Sequence, residues 1–219
     1  ALLALFGVVS ILLQWIYEYY TAQQLRMEKK LMEQRMKSSV DPLTGVFSRL
    51  AYHESLEQYA ASVPADLTVF LMDINGLKRV NDALGHEAGD ELICGAAQCI
   101  TQAVGDRGKI FRIGGDEFVV LGHMSQPQAR QILAELHRIV AAWSGRRVKE
   151  LSISAGCALA RDHPEFSVER LTKEADLAMY ARKQEYYRGR NLVSGRPVPS
   201  GGEAHRSTRE GVLIALISP

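Results

Sequence analysis

Carboxylates and glycines occur together in two short segments, at positions where a packed domain does not need them. Asp73 ends the apolar run LTVFLMD, which is typical of a buried strand, and residues 74–78 (INGLK) follow it with a glycine turn. Residues 114–117 (GGDE) link two further apolar runs. Ligands often bind at the carboxyl ends of strands, and the N–H groups of a glycine turn can bind phosphates. If the two segments are neighbours in one sheet, Asp73 lies beside Asp116 and Glu117, and these carboxylates suit Mg²⁺ bound to nucleotide phosphates.

Each segment taken alone has a plainer interpretation. An Asp-Glu pair in a hairpin turn is usually a solvated pair, and a single Asp at the end of a strand often caps a helix. The catalytic interpretation therefore depends on whether the fold brings the two segments together.

Helices and strands alternate between Asp41 and Ser194, which is the part of the chain predicted to form the folded domain. The predicted helices are 47–60, 77–84, 87–103, 125–143 and 168–187, and the predicted strands are 67–73, 109–113, 117–121 and 151–159. The glycines at 114 and 115 predict a hairpin turn between the second and third strands. Helices that cover a single sheet containing an antiparallel hairpin indicate an α+β or mixed α/β fold.

The composition excludes several classes of protein. The 219 residues include 26 Lys and Arg against 25 Asp and Glu, so the formal net charge is +1. That balance is neither that of a wholly basic nucleic-acid binder nor that of an acidic tail. A hydrophobic fraction of 47% is typical of a globular chain, and three cysteines are too few for a disulfide framework. We therefore expect a globular protein with no nucleic-acid partner.

The N-terminal segment, residues 1–20, is predicted to be a transmembrane helix. Residues 1–17 carry no charged side chain, aromatic residues cluster at their end, and a basic flank follows (Arg26, Lys29, Lys30, Arg35 and Lys37). About 20 apolar residues span a bilayer, and basic flanks remain on its cytoplasmic side. A signal peptide would carry its basic residues before the apolar run, and a core helix would not continue into a highly charged segment.

Two further segments are predicted to flank the domain. Residues 21–40 contain no Gly or Pro and are rich in helix-forming side chains, which predicts a helical signalling linker ending at Asp41-Pro42. The linker is too short for its apolar spacing to distinguish a two-stranded coiled coil from a solvated helix. Residues 195–219 lack a core pattern over most of their length and contain several Gly and Pro, which predicts a disordered tail.

The string RIGGDEF at residues 112–118 resembles the signature of GGDEF-type diguanylate cyclases. Further segments resemble other motifs of that family in the same order, namely DPLTG at 41–45, DINGLKRVNDALGHEAGDEL at 73–92, SISAG at 152–156 and ADLAMYARK at 175–183. The resemblance extends from about Asp41 to Asn191 and predicts a GGDEF domain over residues 41–194. It implies an α+β palm like that of the nucleotidyl cyclases, with a central, mostly antiparallel sheet covered by helices.

The same resemblance implies an enzyme that condenses two GTP into cyclic di-GMP and releases two pyrophosphates. In such an enzyme Mg²⁺ (or Mn²⁺) would be bound by Asp73, Asp116 and the Ile74 carbonyl. Glu117 would be a further metal ligand or the base that helps to deprotonate the attacking 3′-hydroxyl. Catalysis of such transfers depends mostly on positioning and on neutralising oxygen charge, which fits these residue types.

Substrate contacts are implied at a longer set of positions: Gly76, Leu77, Lys78, Asn81, Asp90, Gly114, Gly115, Lys183 and Arg190. Asn81 and Asp90 would hold the guanine base, since a carboxylate can accept both N1–H and the 2-amino group. The amides of Gly76 and Leu77 and the side chains of Lys78 and Lys183 would contact phosphates.

The sequence departs from the family pattern in two places. Many members carry an Arg-x-x-Asp product-inhibition site, but Gly105 and Gly108 occupy the corresponding positions, which predicts no tight product inhibition there. Three extra residues separate Lys183 from the Gly-Arg-Asn segment that contains Arg190. They advance a helix by most of a turn, so the sequence leaves open whether Arg190 reaches the phosphates.

Two arginines near these motifs are not assigned to the substrate. Arg49, which follows the opening DPLTG motif, is predicted to form a structural ion pair. Arg112 is either structural or faces a nucleotide, and the sequence does not decide between the two roles.

The resemblance also implies partners and a place in the cell. Each domain would bind one GTP, so catalysis requires a homodimer whose geometry the linker sets. The predicted anchor implies the bacterial inner (cytoplasmic) membrane, with the catalytic domain in the cytoplasm and a sensor region upstream of this sequence. The alternative is a catalytically silent GGDEF module that binds GTP or a protein, and the retained carboxylates favour the enzyme. An adenylyl-type cyclase is disfavoured by Asn81 and Asp90.

Overall fold

The computed structural model of the chain describes residue 7, residues 12–27 and residues 39–189. A helix, α1, covers residues 12–27. The following elements are α2 (Arg49–Glu57), β1 (Leu67–Ile74), α3 (Leu77–Leu84), α4 (His86–Val104), β2 (Gly108–Arg112), β3 (Glu117–His123), α5 (Gln126–Ala142), β4 (Ile153–Leu159), a short 3₁₀ helix (Ala160–Asp162) and α6 (Val168–Gly189).

The four strands form one sheet in the order β2-β3-β1-β4, and every neighbouring pair is antiparallel. This confirms the predicted α+β fold with an antiparallel sheet and a β2–β3 hairpin. The register places Asp73 of β1 opposite Glu117 of β3. The sheet therefore brings the two carboxylate segments to the same end of adjacent strands.

Alternate residues of the strands enter cores on opposite faces of the sheet, as the two-residue repeat of a strand requires. On one face Phe70, Met72 and Ile74 pack with side chains of α4 and α5. On the other face Leu67, Val69 and Leu71 pack with side chains of α2 and α6. Both faces of β1 are thus buried, which explains why its sequence is a continuous apolar run.

Helix α6 lies directly against β4 because Gly156 has no side chain. A Cβ atom at Gly156 would stand 2.2 Å from the backbone nitrogen of Met179 and 2.4 Å from the carbonyl oxygen of Ala175. Such distances are far shorter than any packing contact, so this close approach needs glycine. The approach fixes the height of α6 above the sheet, and with it the side chains one turn further along the helix.

Several predicted boundaries shift by one to three residues, and the start of α2 does so for a local reason. Helix α2 begins at Arg49 rather than 47, because the Phe47 N–H donates to the Ile110 carbonyl at 2.9 Å and its own carbonyl accepts the Arg112 N–H at 2.8 Å. These bonds hold Phe47 extended beside β2, and Ser48 then caps the helix. Strand β4 begins at Ile153 rather than 151.

Several predictions fall partly or wholly on residues that the structure does not describe. No helix in the described part of the chain is long and apolar enough to cross a membrane. Residues 1–6 and 8–11 of the predicted span, residues 28–38 of the linker and the whole 195–219 tail lie outside the described residues. The membrane anchor and the tail therefore remain predictions, while residues 21–27 of the linker are helical as predicted.

Candidate active site

Asp73 lies at the end of β1 on the face that α6 covers. Its side chain is only 2% exposed, and the Lys183 ammonium donates to its Oδ1 at 2.5 Å. Lys183 follows Met179 by one helical turn, so both project from the same face of α6 towards the sheet. The two partners are 110 positions apart in the sequence, and the close packing of α6 on β4 brings them together.

Asp116 and Glu117 lie beside Asp73 because of the hairpin turn (residues 113–116). The Ile74 N–H donates to the Asp116 carbonyl at 3.0 Å, which joins the end of β1 to the turn. Within the turn the Ile113 N–H donates to the Glu117 carbonyl, also at 3.0 Å. Glu117 is the cross-strand partner of Asp73, so their side chains share one face of the sheet. The predicted proximity of the two segments is therefore present in the fold.

The environment of Asp73 opposes its ionisation. Burial raises its pKa, hydrogen bonding and attraction from Lys183 lower it, and repulsion from Asp116 and Glu117 raises it again. The net result is a pKa of about 6, against an ordinary value of 3.8. A cation bound beside Asp73 would lower the pKa of its carboxyl group, because the cation would favour the charged form.

The donor chemistry of this cluster fits a divalent cation. Carboxylates and a backbone carbonyl are the hard oxygen ligands that Mg²⁺ and Mn²⁺ prefer, and mutual repulsion among carboxylates is relieved by a cation. Within the described residues, no group of three or more His, Cys, Asp or Glu side chains is arranged to hold a metal ion. The fit therefore rests on the ligand types and their charge rather than on preformed geometry.

The turn after β1 is fixed by a buried asparagine. Asn75 donates through Nδ2 to Ser152 Oγ and accepts at Oδ1 from Ser154 Oγ, each at 3.0 Å. Gly76 then adopts a left-handed conformation with φ of 75° and precedes the first residue of α3, Leu77, which is buried. A side chain at φ of 75° would be strained, so this turn requires glycine. Lys78, in the first turn of α3, is exposed to solvent.

The two predicted guanine ligands lie on two helices that contact each other, Asn81 on α3 and Asp90 on α4. Asn81 of α3 packs against Gly89 of α4, where a Cβ atom would stand 1.9 Å from Asn81 Oδ1. That Oδ1 is buried and has no hydrogen-bond partner among the residues that the structure describes. Asp90 follows Gly89 directly and is exposed. An unsatisfied buried acceptor is uncommon in folded proteins, which marks this position as one that a ligand could complete.

Arg112 has a structural role that the sequence left open. Its Nη1 contacts Asp41 Oδ1 at 3.1 Å and Oδ2 at 3.3 Å, and its Nη2 donates to the Gly115 carbonyl at 2.9 Å. Asp41 also accepts the Thr44 N–H at 2.9 Å and the Thr44 hydroxyl at 2.6 Å. Burial acts to raise the pKa of Asp41, but these hydrogen bonds outweigh it and hold the pKa below its ordinary value. The result ties the start of the domain to the hairpin turn.

The remaining comparisons between sequence and structure concern Arg190, Asn75 and Arg49. Arg190 lies outside the described residues, so its reach stays open. Asn75 and its two serine partners were not assigned from the sequence, although an Asn between a strand and a glycine turn is a recognisable turn signal. Arg49 was predicted to form an ion pair, and this is wrong within the described residues, where no hydrogen-bond or ion-pair partner contacts it.

Comparisons with known proteins agree with this geometry. A family model described as "Diguanylate cyclase, GGDEF domain" matches residues 38–189. The chain is 33% identical over 175 residues to the probable diguanylate cyclase DgcF of Escherichia coli (strain K12), covering 75% of this chain and 54% of DgcF. It is 35% identical over 159 residues to the diguanylate cyclase DgcP of Pseudomonas aeruginosa, covering 70% of this chain and 24% of DgcP.

A solved structure shares the same fold. The crystal structure of the coiled coil and GGDEF domain of DgcB from Caulobacter crescentus in complex with c-di-GMP gives a TM-score of 0.66 at 25% identity. The match covers 79% of this chain and 95% of the DgcB chain. By contrast, the chain spans between about a quarter and about half of the length of the two curated relatives.

Proposed function

The chain belongs to the GGDEF family of diguanylate cyclase domains, and from this premise we propose that it condenses two GTP molecules into cyclic di-GMP. In each condensation the 3′-oxygen of one GTP attacks the α-phosphorus of the other. A new oxygen–phosphorus bond forms, the bond to pyrophosphate breaks, and pyrophosphate leaves with the electron pair. The hydroxyl proton passes to a base. Two such steps close the ring and release two pyrophosphates.

The observation that carries this proposal is the environment of Asp73. It is a nearly fully buried carboxyl at a strand end, with its pKa raised to about 6 by burial and by two neighbouring carboxylates, while Lys183 opposes the shift. A fold gains no stability from such crowding of like charges. Perturbed titratable groups in this kind of arrangement cluster at functional sites.

The carboxylate cluster is the part of the site that we assign to the reacting groups. Asp73, Asp116 and Glu117, together with the Ile74 carbonyl, would hold Mg²⁺ or Mn²⁺. The bound ion would neutralise charge on phosphate oxygens and ease deprotonation of the hydroxyl. Glu117 is assigned as the group that accepts the hydroxyl proton or as a further ligand. Lys183 lies close enough to Asp73 to contact a phosphate bound at the same place.

The remaining contacts follow from the turn after β1 and from α3 and α4. The Gly76 and Leu77 amides, with Lys78, are assigned to phosphates at the start of α3. Asn81 and Asp90 are assigned to guanine, supported by the buried, unsatisfied Oδ1 of Asn81. Adenine has neither an N1–H nor a 2-amino group, so it would leave the Asp90 carboxylate unpaired, and this difference discriminates guanine from adenine.

Each chain provides one nucleotide site, so the proposal requires two copies that face each other. Gly105 and Gly108, at the positions where related enzymes carry the product-inhibition site, provide neither a guanidinium nor a carboxylate. We therefore propose a homodimeric cyclase without tight product inhibition through that site.

The direct test incubates the full chain with Mg²⁺ and GTP and separates the nucleotides by chromatography. Glu117→Gln is measured in parallel, because it removes the proposed base while keeping the size of the side chain. Glu165→Gln, on an exposed loop, is the matched control. We expect cyclic di-GMP from the native chain and from the control, and a decrease of about 10²- to 10⁴-fold for Glu117→Gln.

The same experiment distinguishes the alternative function. GTP binding without product, at protein concentrations that support a dimer, would identify a silent module that acts by contact. Equal activity of Glu117→Gln and the native chain would remove Glu117 from the proposed mechanism.

A further inference from the structure

A cavity lies beside the hairpin turn (residues 113–116). It has a volume of about 470 Å³, is open to solvent, and is lined by Asp41, residues 48–50 at the start of α2, and residues 112–115. We call it the arginine pocket, after Arg49 and Arg112 in its wall. Apart from the glycine pair, none of the residues assigned to the first nucleotide lines it.

The arginine pocket carries one uncompensated positive charge. Arg112 is paired with Asp41, so these two charges cancel. Arg49 is exposed, and no hydrogen-bond or ion-pair partner contacts it within residues 39–189. A guanidinium presents a planar fork of N–H donors that matches the oxygens of a phosphate. The pocket therefore has the charge and the donor geometry for a phosphate group.

The glycine pair forms the wall between the arginine pocket and the carboxylate cluster. At Gly115, apart from the glycine and its two chain neighbours, no atom of the described residues lies within 4 Å of the place that a Cβ would take, so a ligand can approach the backbone closely. At Gly114 a Cβ would stand 2.7 Å from Glu117 Oε2, so the Glu117 carboxylate lies against the same turn. In the sheet order, β2 with the pocket and β1 with Asp73 lie on opposite sides of β3.

The proposed function, on which this inference rests, requires a binding place for the phosphates of a second nucleotide. Apart from the glycine pair, the side chains assigned to the first nucleotide's base and phosphates come from α3, α4 and α6, none of which lines the pocket. A condensation also needs a second nucleotide within reach of the same hairpin turn. We infer that the arginine pocket binds a phosphate group of the second nucleotide, the one held by the other copy of the chain, and that Arg49 positions it.

The first test separates turnover from nucleotide binding in the full chain. Arg49→Gln removes the charge, Arg49→Lys keeps the charge without the fork, and Lys109→Gln, an exposed cation further along β2, is the matched control. For Arg49→Gln we expect kcat to fall about 10- to 100-fold, the range for a hydrogen bond to a charged group. Affinity for a non-hydrolysable GTP analogue, measured at protein concentrations at which the chain is monomeric, should stay as in the native chain, and so should the dimer fraction without nucleotide in analytical ultracentrifugation.

We expect the kcat of Arg49→Lys to lie between those of Arg49→Gln and the native chain. The kcat of Lys109→Gln should equal that of the native chain. Unchanged kcat in Arg49→Gln would overturn the inference. A loss of analogue affinity that equals the loss of kcat would also overturn it, because Arg49 would then belong to the first nucleotide's own site.

A second test does not depend on turnover. The full chain, saturated with the GTP analogue at protein concentrations at which it is monomeric, is titrated with inorganic pyrophosphate by calorimetry, because in a monomer no second nucleotide fills the pocket. Binding in the native chain that is lost in Arg49→Gln and kept in Lys109→Gln supports the pocket, even where no cyclic di-GMP forms and the proposed function fails. Cyclase activity without Arg49-dependent pyrophosphate binding or kcat would overturn the pocket and leave the proposed function intact.

Discussion

Two largely buried pairs of an aspartate and a basic side chain lie on either side of the hairpin turn. Lys183 contacts Asp73 at 2.5 Å, and their side chains are 12% and 2% exposed. Arg112 contacts Asp41 at 3.1 Å, with side chains 14% and 18% exposed. Yet the pKa of Asp73 is raised to about 6, whereas that of Asp41 is lowered. The Asp73 pair is the shorter of the two, so the distance between the partners does not explain why the pKa of Asp73 is raised.

The surroundings explain the difference. Asp41 receives an N–H and a hydroxyl from Thr44 in addition to Arg112, and these donors compensate for its burial. Burial of Asp73 is opposed by Lys183, while Asp116 and Glu117 are neighbours that repel its charge. An ion pair whose carboxylate receives enough hydrogen-bond donors stabilises the fold. A buried carboxyl with few donors and with like charges beside it is typical of a functional site. Four predictions test this division, from the largest expected effect to the smallest.

The largest effect is expected at Asp73. Asp73→Asn should lower cyclic di-GMP formation by about 10²- to 10³-fold, because it removes a charge that acts on the reacting phosphates. It should not lower the unfolding midpoint at pH 7.5, since the folded state disfavours that charge. Chromatography and urea unfolding measure the two quantities, with Asp162→Asn on the exposed 3₁₀ helix as the control. A variant that keeps full turnover would contradict the assignment.

At Asp41 we expect a substitution to lower the stability of the fold rather than turnover. Asp41→Ala should lower the free energy of unfolding by about 1.5–3 kcal/mol, because Thr44 and Arg112 lose a largely buried, charged acceptor. Asp66→Ala is the matched control, since its pair with His123 is about half exposed and should matter far less. Urea unfolding at pH 7.5 measures both. Equal effects of the two substitutions would show that the Asp41 pair is no more than a surface contact.

Gly156 tests how α6 delivers Lys183 to Asp73. Gly156→Ala places a methyl group against the backbone of α6 and should cost about 1–3 kcal/mol of stability through overpacking. Gly189→Ala, at the end of the same helix with open space around it, is the control and should have little effect. If both variants unfold at the native midpoint, α6 does not depend on close approach to β4.

The smallest effect concerns pH. The folded-state pKa of Asp73, about 6, lies above the ordinary value of 3.8, so its contribution to stability is full below pH 3.8 and is lost as the pH rises through about 6. Between pH 7.5 and pH 5 the native chain should therefore gain about 1–1.5 kcal/mol relative to Asp73→Asn. Asp41, whose pKa is lowered, contributes in the opposite direction and only as the pH falls below 3.8.

Urea unfolding in a buffer containing a chelator, at several pH values, measures this difference. A constant gap between the native chain and Asp73→Asn across the range would show that Asp73 titrates normally.

Local sequence patterns predicted most of the fold. The apolar run before Asp73 predicted a buried strand, and β1 is such a strand. The glycine pair at 114 and 115 predicted the hairpin, and β2 and β3 pair across it. These elements depend on residues that are close in the chain, which is why their sequence patterns suffice.

Local sequence patterns could not predict contacts between residues that are far apart in the chain. Arg112 and Asp41 are 71 positions apart, and the sequence could not decide whether Arg112 faces its own fold or a nucleotide. The contact of Lys183 with Asp73 depends on how closely α6 approaches β4, which a single glycine decides. For the same reason the sequence missed the hydrogen bonds that fix Asn75. The resemblance supplied roles for site residues, whereas only the structure shows which of them touch.

The most direct test of the account compares Asp73→Asn and Asp41→Asn in one experiment. For each variant, cyclic di-GMP formation from GTP and Mg²⁺ and the urea midpoint are measured on the same preparation. The account predicts that Asp73→Asn stays folded and loses turnover, whereas Asp41→Asn loses stability and keeps most of its turnover under conditions where it is folded. Two results would contradict the account. One is an Asp73→Asn variant with a lowered urea midpoint and native turnover, and the other is an Asp41→Asn variant with the native midpoint and no turnover.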